Sequence, residues 1–216
     1  MMKDKIIKFL TENGAGEVGF AKAKENEFGL PYSISFDIPL SLAVVEGITD
    51  KPTHTYFHHY RTVNTLIDNL SLRLGLMLQE EGYRFACVPA SQSVNGLSGV
   101  YSHKYGAVQA GLGVIGKSGL FVSERFGPSV RLGTILTDCE FDTEEVKPVS
   151  GCGDCDLCVK ACPAMAITGQ HWAPDEEREK IIDAKACSDY MKKAFQHIGR
   201  GAVCGVCMRV CPKNKR

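Results

Sequence analysis

The sequence predicts an α/β (α+β) domain followed by a small cysteine-rich domain of the two-cluster bacterial ferredoxin type. Helically spaced apolar residues alternate with short apolar runs up to about residue 138. Of ten cysteines, eight fall between Cys152 and Cys211. The acidic stretch 140–150, broken by Pro148, lies between these two regions and reads as a linker. The expected division is residues 1–145 as a cofactor and substrate domain and residues 146–216 as the cluster domain. A length of 216 residues suits one core domain with a small appendage.

Lys3 to Glu12 has helical spacing at Ile6, Ile7 and Leu10 and stops at Gly14-Ala15-Gly16. Leu42-Ala43-Val44-Val45 reads as a buried strand. From His58 to Glu81, apolar residues recur every three or four positions (Val63, Leu66, Ile67, Leu70, Leu74, Met77, Leu78), which predicts a long amphipathic helix. Gly82 stands where a left-handed cap belongs. Tyr83 to Val88 returns as a strand ended by Pro89, and residues 91–119, rich in Gly and Ser, have the weak periodicity of functional loops. Leu120-Phe121-Val122 and Val130 to Thr137 predict two strands with a turn near Gly127-Pro128.

Lys plus Arg and Asp plus Glu number 25 each, so no overall field selects nucleic acid or an anionic membrane. The apolar patch Ile6–Leu10 is too short and too interrupted for a signal peptide. No run approaches the ~18 apolar residues that a spanning helix needs. The expectation is a cytoplasmic chain with reduced thiols, in which clustered cysteines suggest metal more than disulfides.

Cys152-x2-Cys155-x2-Cys158-x3-Cys162-Pro163 is the bacterial ferredoxin spacing for a [4Fe–4S] cluster. Short loops let three thiolates converge on one cube, and the fourth cysteine, before Pro, points to a neighbouring cluster. Cys204-x2-Cys207-x3-Cys211-Pro212 repeats that ending with one cysteine fewer, and Cys187 is the replacement. Exchange of the last cysteine between halves assigns Cys152, Cys155, Cys158 and Cys211 to cluster one. Cys187, Cys204, Cys207 and Cys162 are left for cluster two. A zinc site would need a four-ligand group closed on one ion, which this spacing is not. Cys87 and Cys139 lie outside the pattern and read as small buried hydrophobes.

The run Gly111-Leu112-Gly113-Val114-Ile115-Gly116-Lys117-Ser118 matches both G-x-G-x-x-G and G-x-x-x-x-G-K-S. Both nucleotide motifs need a strand before the loop and a long helix after it. Tyr101–Ala110 before it is helical or irregular, and a strand pair follows, so nucleotide binding is rejected. Two readings remain: a loop whose backbone approaches something closely, with Lys117 beside it, or a turn between packed elements.

Residues 110–117, then Arg131-Leu132-Gly133-Thr134-Ile135-Leu136-Thr137-Asp138, then the two cysteine groups in this order, resemble epoxyqueuosine reductase and the related reductive dehalogenases. The resemblance covers roughly residues 55–216. It is nearest to a short branch of the family in Pro89-Ala90-Ser91-Gln92 and Ser102-His103-Lys104. It implies a nitroreductase-like cobalamin domain followed by a ferredoxin-like domain. Two [4Fe–4S] clusters would feed electrons to cobalamin for the two-electron reduction of a small-molecule or modified-nucleoside substrate. A reduced ferredoxin or flavodoxin would be the electron donor.

By position, Gly111, Leu112, Gly113, Gly116, Lys117, Leu132, Gly133 and Thr134 would line the corrinoid pocket. The family's acidic proton donor has no counterpart in Cys87–Gln92, where no carboxylate occurs. Tyr101, His103 and Tyr105 are therefore the candidate catalytic proton donors, with Lys104 an electrostatic neighbour. His54, His58 and His59 are expected to cap the long helix or face solvent. The rival readings are an electron carrier that binds no corrinoid and a reductive activator of a partner's corrinoid. A two-cluster ferredoxin hardly needs ~145 further residues, which favours the enzyme.

Overall fold

The computed structural model describes residues 2–91, 93–94, 96–143, 151–174, 176–199 and 203–214. Two compact units are assembled from interleaved segments: 1–39, 62–113 and 131–147 form one, and 40–61, 114–130 and 148–216 the other. The domain boundary expected at 145/146 and the linker segment 144–150 lie outside the described residues.

The first unit is built on a four-stranded sheet in the order β1-β2-β6-β3. Its strands are β1 (Val18–Lys22), β2 (Tyr32–Pro39), β3 (Phe85–Val88) and β6 (Val130–Thr137). β1 pairs antiparallel with β2, Val18 opposite Phe36, and β3 pairs antiparallel with β6, Phe85 opposite Thr137. β2 is buried on both faces: Ile34 and Phe36 point one way, Ser33, Ser35 and Asp37 the other, all at 0% exposure. Helix α4 (His103–Gln109) covers the serine side, where a side chain at Gly106 would lie 2.9 Å from the Ser35 hydroxyl. Ile67 of helix α3 (His54–Glu80) covers the Phe36 side. Helix α1 (Met2–Glu12) buries Ile6 and Leu10, one helical turn apart, against β1.

The long helix and its cap are as expected. α3 ends at Glu80, and Gly82 beyond it, with a φ of +89°, sets up the Tyr83 N–H to Leu78 carbonyl bond of a Schellman motif. β3 follows, and β6 spans the eight expected residues. The segment Leu42–Val45 corrects the strand reading: Leu42–Glu46 is helix α2, and only Val45 in it is buried. A four-residue apolar run carries no period that separates strand from helix. Here Ser41 occupies the N-cap position, and its N–H donates to His59 Nε2 at 2.9 Å, an orphan donor satisfied by a histidine expected near the helix start. β1 and β2 had no expectation, because serines alternating with apolar residues look like a half-exposed loop.

In the second unit, strands β4 (Gly113–Ile115) and β5 (Phe121–Ser123) form a two-stranded sheet, so β5 pairs with the glycine run and not with β6. Helices α5 (Leu157–Ala161), α6 (Ala184–Gly199) and α7 (Val206–Arg209) carry Cys158, Cys187 and Cys207, and a 3₁₀ turn lies at Arg178–Lys180. The segment after Cys211 closes over the β5 end. The Ser129 hydroxyl meets Asn214 Oδ1 at 2.6 Å, and a side chain at Gly127 would collide with the Lys213 carbonyl. Among the described residues, no helix is long and apolar enough to cross a membrane.

Candidate functional site

Each cysteine of the ferredoxin pattern is placed by a short helix or turn. Cys158 lies on α5 and Cys162 directly after it, while Cys207 lies on α7 and Cys211 just beyond. Asp183 caps α6 by accepting the Ala186 N–H at 2.9 Å, which sets Cys187 in the first turn. All ten cysteines are free thiols.

Within the second unit the thiols fall into two groups. Cys152, Cys155, Cys158, Cys207 and Cys211 line one cavity. Cys158 lies within electrostatic reach of Cys152 and Cys211, and Cys211 of Cys152 and Cys155. Cys187 couples to Cys204 and Cys162, and Cys207 to Cys204, Cys187 and Cys162. Cys207 also reaches Cys158, so the two groups are neighbours. Burial, reinforced by neighbouring thiols, pushes Cys207 up to about 12 and Cys187 to about 11. Thiols held protonated in this way release protons when they bind iron. Among the described residues, no three His, Cys, Asp or Glu side chains meet at the spacing of a single-ion site.

The glycine run divides between the two units. In the second, the Lys117 N–H donates to Cys152 Sγ at 3.4 Å. A side chain on Gly116 would come within 3.2 Å of that same sulfur, so glycine permits the loop's close approach. Lys117 Nζ donates to Asp156 Oδ1 at 2.9 Å. The lysine is thus tied to the thiol loop and not presented to a phosphate. In the first unit, Leu112 is buried with Ala110 against Gly19 of β1, while Gly111 is exposed and Gly113 half-buried.

The other expected residues sit within the first unit. A side chain at Gly133 would meet the Phe36 ring at 2.3 Å and Ile67 at 2.9 Å, so this position packs α3 on the sheet. Leu132 is buried, and Thr134, fully buried, bonds His103. Both imidazole nitrogens are engaged: Nδ1 meets the Thr134 hydroxyl and Nε2 the Pro89 carbonyl, each at 2.9 Å. The carbonyl can only accept, which places the proton on Nε2 and makes Nδ1 the acceptor. Burial lowers the His103 pKa, aided by the Arg131 charge and opposed by the Pro89 bond and Asp68, so the ring is neutral.

The buried Tyr101 hydroxyl has no hydrogen-bond partner at full geometry, and burial raises its pKa. The Tyr105 ring carries Lys24 Nζ 4.4 Å from its centroid. Three anchors had escaped the sequence reading. Asp68 accepts the Ala90 N–H at 2.8 Å, and Arg131 reaches the Ala90 carbonyl at 3.3 Å while its Nε bonds Asn64 at 2.9 Å. With His103 they hold Pro89-Ala90 on both sides. Polar character at a covered position of α3 or β6 could have signalled Asn64 and Arg131, and nothing local singles out the exposed Asp68.

The model of the 4Fe-4S double cluster binding domain, Fer4_16, matches residues 151–214. The chain is 34% identical over 119 residues to epoxyqueuosine reductase of Lactococcus garvieae, covering 50% of this chain and 31% of that protein. It is 32% identical over 124 residues to tetrachloroethene reductive dehalogenase of Dehalobacter restrictus, covering 50% and 21%. The chain therefore spans about a third or less of these relatives. Among solved structures, a reductive dehalogenase described for B12-dependent dehalogenation superposes with a TM-score of 0.77 at 18% identity, over 98% of this chain and 31% of that one. Epoxyqueuosine reductase from Streptococcus thermophilus gives 0.65 at 19%, over 98% and 66%. These structural likenesses establish the mixed α/β fold. The chain is a homologue of the epoxyqueuosine reductases and the reductive dehalogenases, with a 4Fe-4S double cluster binding domain at residues 151–214.

Proposed function

We propose that this protein is an iron–sulfur oxidoreductase that holds two [4Fe–4S] clusters and works with cobalamin. The observation that supports the reading is the convergence of the eight thiols in one unit, Cys211 beside Cys152, Cys155 and Cys158, and Cys187 beside Cys204 and Cys162, with Cys207 within reach of Cys158 and of the latter three. Cys152, Cys155, Cys158 and Cys211 hold one cluster, and Cys162, Cys187, Cys204 and Cys207 the other. In domain terms, residues 146–216 serve as the cluster domain and 1–145 as the cofactor and substrate domain.

When bound, the clusters store single electrons and cobalamin collects them for a two-electron reduction. Of the residues expected at the corrinoid, Gly111 and Gly113 fit it best, since their backbone is bare and accessible. Gly133 and Thr134 do not fit, because Phe36, Ile67 and His103 fill the space beside them. Tyr101 is the best proton donor: burial keeps its hydroxyl protonated, and the Ser33 side chain and Lys24 backbone beside it hold it in no bond of full geometry. His103, with both nitrogens engaged, positions the Pro89-Ala90 backbone instead. The substrate class is a small molecule or a modified nucleoside. One relative has been solved with an epoxyqueuosine-modified tRNA stem loop, while the balanced charge of this chain gives no general affinity for nucleic acid. A reduced ferredoxin or flavodoxin supplies the electrons.

Cobalamin titration of the anaerobically reconstituted protein, read by visible absorbance, tests the reading. Saturable binding is expected in the parent and its loss in Gly113→Leu with iron content unchanged. A parent that binds iron but no cobalamin would make the chain an electron-transfer protein.

A further inference from the structure

The glycine run contains a lysine that the proposed function leaves without a task. The Lys117 side chain is only 7% exposed, yet it carries a full charge beside the thiols assigned to cluster one. Its backbone N–H points at Cys152 Sγ, and its ammonium is bound to Asp156 at 2.9 Å, between Cys155 and Leu157. A buried cation needs a partner, and Asp156 is that partner. Such a pair could join the two loops anywhere on the molecule. Here both members flank the ligands of one cluster and neither flanks those of the other. Asp154 also faces Lys117, and Lys160 and His171 face Asp156.

We infer that Lys117 and Asp156 form a charge pair that sets the reduction potential of the cluster held by Cys152, Cys155, Cys158 and Cys211. Lys117 favours the reduced cluster, because reduction adds a negative charge that a nearby cation stabilises and that an N–H···S bond also stabilises. Asp156 opposes it, and the pair holds the potential between the two extremes. Both residues act through the cluster and its ligands, so they are positioning and tuning residues. The inference rests on the proposed ligand sets.

The test is an EPR-monitored redox titration of the reconstituted full chain. Lys117→Met removes the buried cation, leaving Asp156 only Lys160 and His171, and should lower the potential of one cluster. Asp156→Asn removes the bonded carboxylate, leaving the ammonium only Asp154, and should raise it. Each shift is expected at about tenfold in the one-electron reduction equilibrium, about 59 mV. The double variant should return close to the parent, with the second cluster unmoved in all three. A loss of packing alone would not produce shifts of opposite sign. Shifts in the same direction, or none with both clusters assembled, would overturn the inference. If Lys117→Met fails to assemble its cluster, Asp156→Asn decides: a raised potential supports the pair, and an unchanged one refutes it. Iron analysis separates the two readings, since a parent without iron refutes the ligand sets themselves and the tuning pair with them.

Discussion

Replacing His103 by alanine removes a neutral imidazole that bridges α4, β6 and the segment after β3. The buried Thr134 hydroxyl loses its partner, and the carbonyl of the exposed Pro89, which water can reach, loses its bond as well. An unsatisfied buried polar group costs about 1–3 kcal/mol, so the Thr134 hydroxyl sets a loss of about 1–3 kcal/mol. At about 2–4 °C per kcal/mol for a chain of this size, the melting temperature should fall by about 2–12 °C. The pH dependence carries a second signature. The folded state lowers the pKa of His103, so below the ordinary value of about 6.5 the unfolded chain takes up a proton that the folded chain refuses. This contribution to stability is complete above about pH 6.5 and is lost as the pH falls toward the folded pKa. The assay is anaerobic thermal melting of parent and variant at pH 7.5 and 5.5. The variant should melt lower at pH 7.5 and show a smaller drop on acidification. A variant that melts with the parent and keeps the same pH response would refute the bridging role and return His103 to the list of free proton donors.

Tyr101→Phe should leave the melting temperature unchanged or raise it, because the hydroxyl it removes is buried without a partner, while turnover falls if Tyr101 delivers the proton. A large loss of stability would show that the hydroxyl is bonded after all. Cys139→Ala should leave both clusters intact, since Cys139 is a buried residue outside both thiol groups; loss of iron in it would refute the grouping.

Much of the site was legible because its chemistry depends on spacing. The x2-x2-x3-Pro pattern needs only short loops, and the 4Fe-4S double cluster binding domain matches residues 151–214, where it falls. Helix α3 and its Gly82 cap were equally legible, since a period of 3.6 sustained over more than twenty residues has few alternatives. Three features escaped for physical reasons. β2 is covered on both sides, so its serines are interior residues that a binary pattern reads as exposed. Leu42–Val45 is too short for its period to be read. The partners of the glycine run are distant in sequence: Lys117 meets Cys152 and Asp156, each more than thirty residues away, and nothing local announces either contact.

The exchange of the last cysteine between the two halves is the most exposed part of the account. Cys162 lies beside Cys158 in sequence, yet it is assigned to the cluster of Cys187, Cys204 and Cys207. Cys211 lies beside Cys207 and is assigned to the cluster of Cys152. The decisive measurement is EPR of the reduced, reconstituted single variants alongside iron and sulfide analysis. The parent should carry about eight of each per chain. Cys162→Ala should lose the same signal as Cys187→Ala and Cys204→Ala, and Cys211→Ala the same signal as Cys152→Ala. If Cys162→Ala instead removes the signal lost in Cys152→Ala, the ligand sets are sequential and the account is wrong.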